Sequence, residues 1–349
     1  MDIEHVRSRF IKHFDGTTGT LYTSPGRINL IGEHTDYNGG FVFPGAIDKG
    51  MMAELKPNGT DKVRAYSIDL KDYVEFGLNE EDAPRASWAR YIFGVCREMI
   101  KRGVDVKGFN TAFAGDVPLG AGMSSSAALE STYAYALNDL FGDNKLDKFT
   151  LAQVGQATEH NYCGVKCGIM DQFASVFGKR DHLIRLDCRS LEYQYYPFKP
   201  EGYKLVLLDS VVKHELASSA YNKRRQSCEA AVAAIRKHHP EVEFLRDANM
   251  DMLATGSGLD LLEKDWPIYG RSVSAPPAYL GQNAHVEHSV VARGCTVEGE
   301  TENSVLSERC TVEEGASVQY SILMPGAVVK KDARVSYAII GENGVVGEP

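Results

Sequence analysis

The sequence predicts a mixed α/β domain followed by a parallel β-helix, and two observations lead to this prediction. Helical and strand-like patterns alternate over residues 1–250. After about residue 255 a different pattern begins, in which a small residue, any residue and then valine recur at regular steps. Repetition at a fixed period is typical of a solenoid whose coils stack on one another.

The elements of the first part follow from hydrophobic periodicity. Residues 20–60 have strand-like apolar positions interrupted by glycines, and Phe109, Thr111 and Phe113 alternate onto one face of a strand. The apolar run over residues 204–212 predicts a buried strand. Apolar stripes at helical spacing predict four helices, over residues 88–102, residues 127–141, the mid-150s to residue 162, and residues 221–238.

The second part contains two interlocked repeat series. The pairs of small residue and valine are Ala284/Val286, Cys295/Val297, Cys310/Val312, Ala316/Val318, Ala327/Val329 and Ala333/Val335. Steps of six and 17 within this series predict three short strands per coil. A second series steps by 15, 17 and 17 through Val290, Val305, Ile322 and Ile339. Because Cys295 and Cys310 take the position of alanine, we expect them to be core residues rather than reactive thiols.

Composition and charge limit the classes of function. The 349 residues carry a net charge of −9 without a run of Lys and Arg, which argues against nucleic acid and an anionic membrane surface as partners. The N-terminal residues lack the apolar core of a secretion signal, and 18 consecutive apolar residues occur nowhere, so we expect no membrane span. Seven cysteines without a secretion signal indicate free thiols in a cytoplasmic protein. Cys163 and Cys167 lack the further ligands that a zinc site needs.

A Gly/Ser-rich loop over residues 115–130 follows a predicted strand and opens a predicted helix. Gly120 and Gly122 would let backbone amides approach phosphate oxygens, and three serines, at positions 124 to 126, lie where the helix begins. The loop lacks the GK[ST] ending of a Walker loop. Its sequence is also compatible with a tight structural turn whose serines cap the helix.

Two further segments concentrate polar residues that could do chemistry. GRINLIGEHTDYNGG, residues 26–40, combines an arginine with carboxylates, which suits a site for sugar hydroxyls and a charged group. A solvated polar turn would also explain this composition. In residues 159–173 a lone Asp171 lies among apolar residues, and it is either a capped structural aspartate or a poised base.

Together these segments resemble the galactokinase family. GRINLIGEHTDYNGG resembles its signature almost letter for letter, and PLGAGMSSSAALE resembles the phosphate-binding motif of the wider galactose, homoserine, mevalonate and phosphomevalonate kinase superfamily. GxxxGxMDQ, residues 164–172, resembles the segment with the catalytic aspartate, and residues 218–231 resemble the stretch with a sugar-contacting tyrosine. The resemblance extends from residue 1 to about 250. It implies ATP-dependent phosphorylation of galactose at its anomeric hydroxyl, with Mg²⁺ as cofactor.

The resemblance also implies roles for individual residues. Asp171 is similar to the base that accepts the anomeric proton, and Arg27 to the partner that keeps it ionised and stabilises charge on the γ-phosphoryl group. The residues similar to galactose-binding residues are Glu33, His34, Asp36 and Tyr221. Those similar to ATP-binding residues are Trp88, near the adenine, and Gly120, Gly122, Ser124, Ser125 and Ser126. Those similar to Mg²⁺ ligands are Ser126 and Glu159.

The C-terminal part resembles the left-handed β-helix of glucose-1-phosphate adenylyltransferase over residues 258–349, without the catalytic domain of that enzyme. The third glycine-rich motif of galactokinases is not found in this sequence, and its loss could impair activity. We therefore expect a galactokinase-like domain (1–200), a truncated start of the second kinase domain (201–253), a linker (254–280) and the β-helix (281–349). The alternative function is a non-catalytic chain whose β-helix serves in self-association or in regulating glycogen synthesis.

Overall fold

The fold comes from a computed structural model, which describes residues 2–14, 16–118, 122–202, 205, 217–249, 252 and 275–347, with backbone alone for 217–220. The chain forms two compact units, residues 1–261 and residues 262–349. Each unit has a hydrophobic core of its own.

The described helices of the first unit agree with most of the periodicity-based predictions. They are α1 (Ile3–His13), α2 (Ser87–Lys101), α3 (Ser125–Gly142), α4 (Lys148–Thr158), α5 (Met170–Phe177) and α6 (Ala217–Arg236). The helix predicted to start in the mid-150s begins earlier, because the Asp147 side chain accepts the N–H of Thr150 and caps α4. After Thr158 the chain continues as a π-helical turn, Glu159–Cys163. None of the described helices has the length and apolarity that a membrane crossing needs.

The described strands of the first unit form two sheets. They are β1 (Thr20–Asn29), β2 (Phe41–Val42), β3 (Pro44–Pro57), β4 (Lys62–Ser67), β5 (Asp72–Gly77), β6 (Phe109–Gly115), β7 (His182–Asp187) and β8 (Tyr193–Pro197). The larger sheet has the order β1-β3-β6-β4-β5, and the smaller one has the order β2-β7-β8. The buried strand predicted over residues 204–212 lies outside the described residues.

The larger sheet is covered by helices on both faces. Phe109 and Phe113 of β6 belong to the core beneath α2 and α3, where the Thr111 hydroxyl lies 2.8 Å from the Tyr133 hydroxyl. This confirms that the three alternating residues of β6 share one face. The opposite face packs against α1 through Phe10. A sheet packed between helices is rigid, so it can hold the residues at its ends in fixed positions.

The second unit is the predicted parallel solenoid of about four turns. Its strands are β9 (Tyr279–Leu280), β10 (His285–Glu287), β11 (Val290–Val291), β12 (Thr296–Val297), β13 (Glu300–Glu302), β14 (Val305–Leu306), β15 (Thr311–Val312), β16 (Ser317–Gln319), β17 (Ile322–Leu323), β18 (Val328–Val329), β19 (Arg334–Ser336), β20 (Ile339–Ile340) and β21 (Val345–Val346). They form three parallel sheets, with the orders β10-β13-β16-β19, β11-β14-β17-β20 and β21-β18-β15-β12-β9. Three strands per coil are therefore confirmed.

Both repeat series stack in register. Cys295 and Cys310 are 1% and 0% exposed, which confirms them as core residues. The second series, Val290, Val305, Ile322 and Ile339, also forms one column of paired residues, but this column faces outward. The next residue in each of β14 and β17, Leu306 and Leu323, is fully buried instead. The handedness of the solenoid stays a prediction from the resemblance.

Candidate active site

A cavity of about 620 Å³ in the first unit collects most of the residues predicted to act on substrates. The predicted residues that line it are Arg27, Glu33, His34, Asp36, Gly122, Ser126, Glu159, Asp171 and Tyr221. They come from β1, the turn after it, the loop before α3, the start of α3, the π-helical turn, α5 and α6. Segments far apart in the sequence therefore meet at one place.

Arg27 and Asp171 form a bidentate ion pair in this cavity. Arg27 Nε donates to Asp171 Oδ1 at 2.8 Å, and Nη2 donates to Oδ2 at 2.9 Å. Asp171 lies in the first turn of α5, and Arg27 lies on β1 where its register against β3 shifts after Pro25. Irregularities of this kind redirect a side chain. Two parallel bonds fix both the distance and the plane of the carboxylate.

The Gly/Ser loop is attached to the same pair. The Arg27 N–H donates to the carbonyl of Met123 at 3.1 Å, and Arg27 Nη1 donates to the carbonyl of Gly122. A Cβ on Gly26 would lie 2.6 Å from the Met123 oxygen, so glycine is needed for this close approach. The arginine thus links strand, loop and α5.

The serines of the loop do different things. Ser124 has a left-handed backbone, with φ 56°, and its hydroxyl donates to Asp171 Oδ2. It is the N-cap of α3, yet within the described part of the chain no side chain accepts an N–H at this helix start. The capping role considered for the serines is therefore not found at Ser124. Ser125 begins α3 outside the cavity lining, Ser126 lines the cavity, and Gly120 lies outside the described residues.

Asp36 occupies the space that a glycine leaves open. It starts a short 3₁₀ turn, Asp36–Asn38, and a Cβ on Gly168 would overlap its carboxylate. Burial raises the pKa of Asp36 to about 6, and the nearby Asp171 carboxylate adds to this effect. Any side chain at position 168 would collide with Asp36, so this position of the GxxxGxMDQ motif requires glycine.

The other predicted sugar-side residues line the same cavity as Asp36. Glu33 accepts from the amide of Asn29 at 2.9 Å, and the rings of His34 and Tyr221 have centroids 5.3 Å apart. Asn222 holds α6 in place, because its side chain donates to the carbonyl of Gly164 at 2.9 Å. This side of the cavity combines carboxylates with aromatic rings, a combination that suits a sugar.

Ser126 and Glu159 lie together on the other side. Glu159 starts the π-helical turn and is 5% exposed. Burial raises the pKa of Glu159 to about 7, the Asp171 carboxylate adds to this, and a hydrogen bond with Ser126 opposes it. A buried carboxylate beside a hydroxyl offers the hard oxygen ligands that suit Mg²⁺.

Comparisons with known proteins agree with this geometry. Residues 8–57 match the family model described as galactokinase galactose-binding signature, and residues 90–179 match the GHMP kinases N terminal domain. A crystal structure of Lactococcus lactis galactokinase complexed with galactose is 31% identical with a TM-score of 0.62, covering 74% of this chain and 67% of that one. The chain belongs to the galactokinase family.

Two further galactokinases show how much of the family's length this chain shares. The galactokinase of Roseiflexus sp. is 42% identical over 254 residues, which are 73% of this chain and 64% of the relative. The galactokinase of Thermosipho africanus is 47% identical over 214 residues, 61% of this chain and 59% of the relative. The chain therefore spans about three fifths of the length of these relatives. Residues 276–349 instead match the GlmU-like, C-terminal hexapeptide model.

Trp88, like Ser124 and Ser125, is a predicted site residue that does not line the cavity. It is 8% exposed on α2, its indole N–H donates to Asp72 at 2.8 Å, and its ring packs against Phe113. Its predicted place near the adenine stays a prediction.

Sequence reasoning also missed residues that line the cavity, namely Tyr91, Val165, Cys167 and Met170. Tyr91 lies one helical turn after Trp88, and the other three lie in or beside the GxxxGxMDQ motif. Their location within segments that resemble the family was the signal that could have identified them. Most of them are apolar, so their side-chain chemistry alone did not indicate a functional site.

Proposed function

We propose that this chain transfers the γ-phosphoryl group of ATP to the anomeric hydroxyl of galactose, giving galactose 1-phosphate and ADP. The observation that carries this proposal is the Arg27–Asp171 pair, which hydrogen-bonds to the Gly/Ser loop and lines the same cavity as the proposed sugar-binding residues. Phosphoryl transfer depends mainly on positioning and charge neutralisation. A fixed carboxylate with a guanidinium beside it meets both needs.

Asp171 would act as the general base. One oxygen of its carboxylate accepts the anomeric proton while the sugar oxygen forms a bond to the γ-phosphorus. The bond between that phosphorus and the bridging oxygen breaks, and its electron pair leaves with ADP. Arg27 holds the base in the reactive orientation and stabilises charge on the transferred group.

Mg²⁺ would be held by Ser126 and Glu159, whose oxygens fit a hard cation. In the part of the chain that the structure describes, no group of three or more His, Cys, Asp and Glu side chains could hold a metal. A Mg²⁺ held by one carboxylate and one hydroxyl would take its other ligands from nucleotide phosphates and water. When bound, the ion neutralises phosphate charge.

Galactose is the proposed sugar, and Glu33, His34, Asp36 and Tyr221 are its proposed partners. The match to the galactose-binding signature supports this, as does the galactose bound in the Lactococcus lactis relative. For ATP, the proposed contacts are the Gly/Ser loop and Trp88 near the adenine. The family match favours this kinase function over the non-catalytic alternative. The division of the chain into four segments, expected from the sequence, is proposed with it.

The test is ADP release by the purified chain with Mg²⁺-ATP, in the presence of galactose, of glucose, or of no sugar. Asp171→Asn should cut galactose-dependent release at least ~100-fold, the usual effect of losing a general base. Asp143→Asn is the matched control, because Asp143 is exposed and pairs with Lys145 on the surface. Retained activity in Asp171→Asn would refute the base, and equal release without galactose would refute the substrate.

We also propose a cytoplasmic location and self-association through the solenoid. The seven cysteines are all free, which suits a reducing compartment. The outward column of Val290, Val305, Ile322 and Ile339 is 40–72% exposed, and exposed apolar patches often mark interaction sites. Sedimentation velocity should show an oligomer that Ile322→Lys dissociates. A monomeric wild-type chain would refute self-association.

A further inference from the structure

The imidazole of His34 is held in place by a neighbour that the proposed mechanism has not used. His34 has a left-handed backbone with φ 61°, and its carbonyl accepts from the Asn38 side chain at 2.8 Å. Its ring lines the cavity, and ring atom Nδ1 lies 2.7 Å from the hydroxyl of Tyr37. One ring nitrogen is thus occupied by Tyr37.

Tyr37 is itself fixed by α6. Its ring packs edge-on against Tyr221, with centroids 5.6 Å apart, and the guanidinium of Arg225 lies 5.6 Å from its centre. Burial raises the pKa of Tyr37 to about 12, so its hydroxyl keeps the proton at neutral pH. A fixed phenol that stays protonated can serve as a hydrogen-bond donor.

We propose that Tyr37 is a positioning residue whose hydroxyl donates to Nδ1 of His34 and so keeps the imidazole proton on Nε2. This inference rests on the proposed function, because it assigns a task to His34 in binding the sugar. The two nitrogens of a neutral imidazole have opposite roles, and the bond made by one decides the role of the other. With Nδ1 accepting, Nε2–H remains to donate.

The donor has a chemical purpose on this side of the cavity. Glu33 and Asp36 present carboxylates, which in their ionised form only accept hydrogen bonds. A sugar hydroxyl has one proton to donate and lone pairs that accept. A hydroxyl that donates to a carboxylate and accepts from His34 Nε2–H would have both capacities satisfied, whereas the other tautomer would offer it a further acceptor.

Tyr37→Phe tests the assignment, since it keeps the ring and removes the hydroxyl. Long-range ¹H–¹⁵N spectra of ¹⁵N-histidine-labelled chain at about pH 8, above the ordinary histidine pKa, report which nitrogen carries the proton. Ten histidines give signals, and His34 is identified by its loss in His34→Gln. We expect a single Nε2–H form of His34 with Nδ1 accepting in the wild type. In Tyr37→Phe that Nδ1 shift should be lost.

Two spectral results would overturn the proposal. They are a proton on Nδ1 in the wild type, or an identical His34 signal in Tyr37→Phe. Tyr196→Phe is the matched control. The Tyr196 hydroxyl donates to the side-chain oxygen of Gln194 on β8, so its removal should leave the His34 signal unchanged. Unchanged signals of the other histidines show that each variant is folded.

Kinetics give a second readout. Loss of the donor's fixed orientation should raise the galactose KM about five- to tenfold, the effect of one hydrogen bond, with kcat changed less than about twofold. A fall in kcat at unchanged KM would contradict a role in sugar binding. If the chain transfers no phosphoryl group, the spectra still decide the tautomer, so the two proposals fail separately.

Discussion

Asp36→Asn tests the conflict between burial and charge at the sugar side of the cavity. The carboxylate of Asp36 fills the space beside Gly168, and burial, with Asp171 nearby, raises the pKa of Asp36 to about 6. Asparagine has nearly the same size, and its oxygen can still accept the backbone N–H of Tyr37. The substitution therefore removes the charge and changes little else.

The size of the effect follows from proton linkage. An acid whose pKa is raised in the folded state binds more protons there than when unfolded, so its contribution to stability falls as pH rises from the unfolded to the folded pKa. For Asp36 this window runs from about pH 4, the ordinary range of aspartate, to about pH 6. At ~1.4 kcal/mol per pKa unit, the ionised form costs up to about 3 kcal/mol of folding free energy above that window.

The assay is urea unfolding followed by far-UV circular dichroism at about pH 3.5, below the window, and at about pH 8, above it. The described helices lie in residues 3–236, so the signal reports the kinase unit. Wild type and Asp36→Asn should be similarly stable at the lower pH. At the higher pH the variant should be more stable by up to about 3 kcal/mol and should no longer bind galactose.

Asp105→Asn is the control, because this aspartate is 80% exposed and should show no such difference. A stability difference of Asp36→Asn that is the same at both pH values would refute the reasoning. So would a variant that is less stable at the higher pH.

Three further predictions concern other contacts. Arg27→Lys keeps the charge but cannot make two parallel bonds to Asp171, so galactose-dependent turnover should fall at least ~10-fold, measured by ADP release. Gly168→Ala should displace the Asp36 carboxylate and weaken galactose binding about tenfold or more by calorimetry, without unfolding the chain. Thr301→Val should stabilise the solenoid by roughly 1 kcal/mol, because this fully buried hydroxyl has no partner among the described residues. Thr301→Ser keeps the hydroxyl and should not stabilise the solenoid. Amide hydrogen exchange of the solenoid strands measures the stability of both variants.

Local patterns were enough to predict several of the elements. The helices α2 and α3 and the strand β6 follow from apolar periodicity, and the start of α3 directly after the Gly/Ser loop follows from the same pattern. The early start of α4 was missed because it depends on one side-chain bond of Asp147, which periodicity does not report. Short caps of this kind move a helix boundary without changing the hydrophobic stripe.

The period of the solenoid shows which residues stack but not which way they face. Val305 and Leu306 both recur through the coils, and both belong to apolar columns. In a strand of two residues, neighbours point to opposite sides. Because both columns are apolar, the sequence could not decide that Leu306 is buried and Val305 is 42% exposed.

Only the family resemblance made it possible to predict from the sequence which residues meet in the cavity. Arg27 and Asp171 are 144 residues apart, and nothing in either local pattern requires that they meet. The spatial requirement for Gly168 was also hidden, because it depends on a carboxylate from a turn far away in the chain. Contacts between distant segments depend on tertiary packing, which local patterns do not encode.

The carboxyl groups of the cavity are coupled through Asp171. Its charge contributes to raising the pKa of Asp36, of Glu159 and of the fully buried Glu130 behind them. Removing that charge, as in Asp171→Asn, must therefore lower those pKa values as well as remove the proposed base. Below about pH 6 the variant would keep more of Asp36 ionised than the wild type, and sugar binding would differ for a reason unrelated to proton transfer. Turnover of the two chains is comparable only at about pH 8, where Asp36 is ionised in both.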